Sequence, residues 1–187
     1  MKTKSLVTAA FFVAFICILA PFSLYVGTIP ITLGLFAVCL SSALLGSRKG
    51  VIAVLIYLLL GAIGVPVFAG FLGGVQVLFR HTGGYLWGYI PCAFIVGFGC
   101  ERFSFRGHVP FFVTLGVIVC NLLGTLWYMI SMNLSFFYAF EMTAVSFILT
   151  DIVPKYLRYQ LNTIVKYVII KSRNMSIYPH IYEPDYD

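Results

Sequence analysis

The chain has 187 residues, of which 61% are hydrophobic and only 10% charged, and its mean hydropathy is +1.00. A soluble domain carries about 25% charged residues, so this chain lacks the polar shell that water demands. Twelve Lys and Arg against six Asp and Glu give a net charge of +6, yet the basic residues sit in short clusters between apolar runs, the pattern of membrane topology rather than of a nucleic-acid-binding face.

Lys2 and Lys4 precede an apolar run from Leu6 to Val26. The run is too long for a signal-peptide core and no small-x-small cleavage site comes after it, so it is expected to stay as a first helix. Crossing about 30 Å of hydrocarbon takes around 20 helical residues, with a lower limit near 17. Candidate spans in chain order are 5–26, 31–47, 49–65, 83–101, 109–130 and 149–171. They predict an all-α integral membrane protein of six transmembrane helices in one domain, 1–173, with a polar tail over 174–187. A Gly/Pro-rich, partly membrane-embedded connection joins the third helix to the fourth.

Loop charges set the orientation. Lys2 and Lys4, Arg48 and Lys49, Arg102 and Arg106, and Lys166, Lys171 and Arg173 all fall on one side of a six-span chain. The other side holds a single basic residue, Arg80, with His81 and Glu141. Cytoplasmic loops collect Lys and Arg, so both termini are expected in the cytoplasm of a multi-pass protein in the bacterial plasma membrane. The five cysteines stand singly in apolar stretches without the spacing of a zinc or redox motif and read as buried, inert thiols.

Two stretches could carry chemistry. In the sixth span, Asp151-Ile-Val-Pro-Lys155-Tyr-Leu-Arg158 places three charges on one helical face near its start. Ionisable residues are costly in a membrane and face cavities or partners. One reading is a capping carboxylate paired with Lys155; the other is an outward-opening polar pocket for a small ligand with an anionic end and a hydrogen-bonding head. Residues 61–89 hold eight glycines. Between Val65 and Phe79 the apolar run is broken by Pro66, Gly70, Gly73 and Gly74, and such backbone must be shielded from lipid by dipping into the membrane face or covering a cavity. Gln76, Arg80 and Tyr85 are candidate ligand contacts there. His81 lacks a second ligand at metal spacing, and the Gly84-x3-Gly88 pair reads first as close helix packing.

Gly64-Val-Pro-Val-Phe-Ala-Gly70, Gly73-Gly74 and Thr82-Gly-Gly-Tyr-Leu86 with Gly88 together resemble the signature of the BioY family, the biotin-specific S components of energy-coupling factor (ECF) transporters. Pro30-Ile-Thr-Leu33, Leu123-Gly-Thr-Leu-Trp127 and Phe147-Ile-Leu-Thr-Asp151 with Lys155 are similar to further stretches of that family, so the likeness runs over about 5–170. Arg80-His81 stand where the family has Gly-Pro, Lys155 comes four residues after Asp151 rather than three, and Gly34 replaces a frequent glutamine.

The resemblance implies high-affinity capture of biotin from outside and delivery inward by a transmembrane coupling subunit with two ATPase subunits. No Gly-x4-Gly-Lys-Ser/Thr loop is present to bind ATP, and no cofactor is expected. The biotin contacts so implied are Asp151, Lys155, Tyr85, Gln76, Phe68, Thr82 and Gly84; Arg80 joins them on topology and charge. Ala10-Phe-Phe-Val-Ala14 matches the small-residue motif by which S components dock on the coupling subunit, since small residues leave a smooth helix face. Alternatives are an S component for another vitamin or an integral membrane enzyme, though the second lacks a nucleophile–base pair or metal set.

Overall fold

The computed structural model describes residues 3–26, 29–103 and 108–134. The expected sixth span, with Asp151 and Lys155, and the tail lie outside these residues.

Helix α1 covers Thr3–Leu19 and closes through Ala20 N–H to Ile16 O at 2.9 Å. The expected first span, 5–26, is therefore too long. Pro21 offers no N–H to continue the helix and disfavours helical backbone at the residue before it. The chain then turns into a short antiparallel hairpin, β1 (Ser23–Val26) with β2 (Ile29–Thr32), in the register Ser23↔Thr32 to Val26↔Ile29. Apolar content alone does not separate helix from strand in so short a run.

Helix α2 (Leu33–Leu45) and helix α3 (Ser47–Ala62) are joined by Gly46 alone. Gly46 has φ 82° and ψ 176°, a backbone region essentially reserved for glycine. The joint is fastened from across the bundle, where Ser47 Oγ donates to Glu101 Oε2 at 2.6 Å. A side chain on Gly46 would run into the Glu101 carboxylate.

The Gly-rich connection after α3 lies over the end of the bundle. It contains a 3-10 turn at Ala69–Phe71 and a five-residue helix, α4, at Val75–Phe79. Val67, Phe68, Val77 and Leu78 are buried, whereas Ile63, Phe71, Val75 and Phe79 stay exposed. The expected irregular backbone is present, but only Val67, Phe68, Val77 and Leu78 are pressed onto the bundle and most of the segment from Val65 to Arg80 is exposed.

Helices α5 (Gly83–Arg102) and α6 (His108–Met132) match the expected 83–101 and 109–130 closely, and both are long and apolar enough to cross a membrane. They run antiparallel in close contact. A Cβ on Gly84 would collide with Trp127 Cβ, and one on Gly88 would come within 3.0 Å of Cys120 O. The Gly84-x3-Gly88 pair thus serves the packing role read from sequence.

The core is assembled from Ile16, Val38, Val54, Tyr57, Phe68, Val96, Val113 and Val117. Large apolar side chains also cover the outside, among them Phe11 at 65% exposure and Ile130 at 68%. Exposed apolar surface on this scale marks contact with lipid or protein rather than water. Among the cysteines, Cys39, Cys92, Cys100 and Cys120 are buried and Cys17 is half-buried, all as free thiols; Cys39 and Cys92 face each other at 3.7 Å between sulfurs.

Candidate binding site

The termini of several helices meet at one end of the bundle: the end of α1, the starts of α2 and α5, and the ends of α3 and α6. Asn121 and Thr125 are buried on the α6 side of this end, whereas Ser41, Ser42, Ser47 and His108 are buried nearer the α2–α3 joint and the start of α6. Tyr89 on α5 bonds to Thr32, the residue preceding α2, with 3.0 Å between hydroxyl oxygens. Its ring lies 6.5 Å from that of Tyr57 on α3, which meets Phe68 edge-on at 5.7 Å. The Tyr57 hydroxyl donates to Val67 O at 3.3 Å. Phe68, Tyr57, Tyr89 and Thr32 therefore form a continuous wall from the connection across α3 and α5 to α2.

Facing α5, helix α6 buries Asn121, Thr125 and Tyr128. Spacings of four and three residues put them on one helical face. Tyr85 sits between the two helices, its ring against Gly124, with its hydroxyl oxygen buried and without a hydrogen-bond partner. The Thr125 side chain lies alongside it. A buried unsatisfied hydroxyl costs about 1–3 kcal/mol, so this end of the bundle holds a polar group in want of a partner.

The corner between α4 and α5 is held by both of the chain's tryptophans. Trp87 Nε1 donates to Leu78 O at 3.2 Å, and Trp127 Nε1 to Arg80 O at 2.9 Å. The second bond fixes the backbone of Arg80 and leaves its side chain exposed. His81 places its ring edge-on to Tyr128 at 5.9 Å.

Arg80, Thr82, Gly84 and Tyr85 are thus brought together at the start of α5. Thr82 is half-buried and its side chain makes no cap bond to the helix. Gly84 is buried against Trp127, a position that lets α6 close in. Phe68 stands deeper, 1% exposed behind Tyr57. Gln76 is exposed and turns back on its own loop, its Nε2 donating to Gly73 O at 3.2 Å. Asp151 and Lys155 lie outside the described residues.

The sequence reading missed Thr32, Tyr57, Tyr89, Asn121, Thr125 and Tyr128. A signal existed for the last three, because polar residues repeat at helical spacing in an otherwise apolar span, where each is expensive. Among the described residues no three His, Cys, Asp or Glu gather as a metal site.

A separate groove of about 380 Å³ runs along the outside between α1 and α3. Its walls are apolar and include Ala10 and Ala14, both exposed, with Lys49 as its one charged lining residue. It has none of the polar groups that mark the Tyr85 end.

Apolar outer faces and two helices long and apolar enough to cross a membrane fit a helical membrane protein. Residues 1–166 match the family model described as "BioY family". The chain is 38% identical over 154 residues to the probable biotin transporter BioY of Pyrococcus horikoshii, covering 82% of this chain and 90% of that one. It is 31% identical over 153 residues to the biotin transporter BioY2 of Lactococcus lactis subsp. cremoris, covering 81% and 84%. The fold is similar to a crystal structure of the S-component for biotin from an ECF-type ABC transporter, with a TM-score of 0.81 and 25% identity over 97% of each chain. The chain belongs to the BioY family, whose members among these relatives are transporters and not enzymes.

Proposed function

We propose that this chain is the biotin-capturing S component of an ECF transporter. The observation that carries the reading is the buried, unpartnered Tyr85 hydroxyl within the Thr82–Leu86 motif, set against the polar face of α6. Biotin suits such a site: it offers a ureido head with two N–H donors and a carbonyl acceptor, an apolar ring and chain, and a terminal carboxylate.

In this reading the ureido carbonyl accepts from Tyr85 and the ureido N–H groups donate to Asp151. The carboxylate pairs with Lys155 or with the exposed Arg80, and Thr82 lines the entrance. Tyr57 and Phe68 back the apolar part of the ligand from within the core. Gly84 holds α5 against α6, and Gln76 joins only if it leaves Gly73. Charge-assisted hydrogen bonds made away from water contribute roughly 1.5–3 kcal/mol each. A few of them with apolar burial reach about −12 kcal/mol, which is nanomolar affinity. No resident cofactor is required.

The loop charges support an outward-facing Tyr85 end and cytoplasmic termini in a multi-pass plasma-membrane protein. The exposed Ala10 and Ala14 offer a smooth face on α1 for a transmembrane coupling subunit, with two ATPase subunits supplying the energy that this chain has no loop to harvest.

The test is calorimetry on the purified, detergent-solubilised chain with biotin and a panel of other vitamins. Nanomolar, biotin-selective binding is expected, weakened at least about tenfold in Asp151→Asn. Tighter binding of another vitamin would reassign the substrate, and full affinity in Asp151→Asn would remove the ureido assignment.

A further inference from the structure

We propose that the groove between α1 and α3 is a binding site for one anionic phospholipid, with an acyl chain along the groove and the headgroup phosphate on Lys49. The groove runs along α3 from Lys49 past Ile52 and Ile56 to Leu60. Eleven residues of helical rise make it roughly 16 Å long, long enough for most of an acyl chain. Ala10 and Ala14 form the opposing wall, and their small side chains leave the volume of about 380 Å³ open.

Charge identifies the occupant. Lys49 is half-buried at one extremity of the groove and has no acidic partner among the described residues. Glu101, the one acid among those residues, is turned to Ser47 at 2.6 Å. Arg48 stands exposed beside Lys49, and both belong to the first turn of α3, where the helix dipole adds to the positive field. The loop charges put this end at the cytoplasmic leaflet, whose anionic lipids are drawn to basic pockets between transmembrane helices. In the chain without a coupling subunit, a phospholipid covers the apolar walls and supplies the Lys49 ammonium with a counter-charge. Since Ala10 and Ala14 line the same groove, such a lipid must leave before a coupling subunit can pack there.

The experiment is native mass spectrometry of the intact chain released from mild detergent, after titration with phosphatidylglycerol or phosphatidylethanolamine of identical acyl chains. Wild type is expected to keep one phosphatidylglycerol in preference to phosphatidylethanolamine. Lys49→Gln should lower that preference by about fivefold, the effect of one basic residue near an anionic headgroup. Ile56→Phe, or Ile52→Phe if the first variant folds poorly, should reduce retention of both lipids by filling the groove. Biotin binding by the same samples checks folding, and because lipid retention does not depend on biotin recognition, the two readings fail separately. Equal retention of both lipids by wild type, or either groove variant behaving as wild type, overturns the site.

Discussion

Replacing Gly84 with alanine adds one carbon at a close approach between α5 and α6. That carbon would fall well inside contact distance of Trp127 Cβ, with Leu123 O at 3.1 Å on its other side. Neither obstacle is the far end of a flexible side chain, so rotation gives no relief. Restoring a normal carbon separation of about 3.5–4.0 Å requires the helices to part by roughly 1–2 Å at this level. Overpacking of this kind costs about 1–3 kcal/mol, offset by up to about 1 kcal/mol because alanine is the better helix former. The net loss is about 1–2 kcal/mol, and for a chain of this size each kcal/mol lowers Tm by about 2–4 °C. The same displacement pulls Trp127 from the Arg80 carbonyl, so its emission should shift. Thermal unfolding in detergent followed by tryptophan fluorescence reads both effects in one scan. A variant with unchanged Tm and unchanged emission would refute the packing role. Normal stability with weakened biotin binding would instead make the Gly84 backbone a ligand contact.

Tyr85→Phe should leave the ligand-free protein as stable or up to about 1 kcal/mol more stable, because the lost hydroxyl has no partner; biotin affinity should fall about tenfold by calorimetry, and a large loss of stability without ligand would contradict the geometry. Gly46→Ala should cost at least about 1–3 kcal/mol, from backbone strain and displacement of Glu101, seen as a lowered melting temperature by circular dichroism. Trp127→Phe removes the bond to Arg80 O, a loss of about 0.5–1.5 kcal/mol. It leaves Trp87 as sole tryptophan emitter, and most of any biotin-induced tryptophan fluorescence change should disappear with Trp127; a full response would make Trp87 the reporter instead.

The long helices were legible because α5 and α6 are apolar runs separated by a short stretch that carries Arg102 and Arg106. The first span was not, because hydropathy continues unbroken through Pro21 while the backbone changes from helix to hairpin. Proline is tolerated near helix ends and within membrane helices, so on its own it did not decide the boundary. At the candidate site, Tyr85 and Arg80 stood out as a motif tyrosine and an isolated charge. Tyr89 and Thr32 could not have been paired, since the hydroxyls that meet at 3.0 Å are 57 residues apart. Asn121, Thr125 and Tyr128 repeat at helical spacing in an apolar span, a signal present in the sequence, whereas the neighbour they face became visible only with α6 packed against α5.

The distribution of thiols makes the protein its own stopwatch. Four cysteines are sealed on α2, α5 and α6, and the fifth, Cys17, lies half-covered on α1. A thiol reagent can reach the sealed four only when the helices around them separate, so their modification rates report local opening free energies along the chain. Cys120 opposes Gly88, whereas Cys39 and Cys92 bind α2 to α5. The order in which these peptides acquire label would therefore tell which helix leaves the bundle first, without any engineered probe.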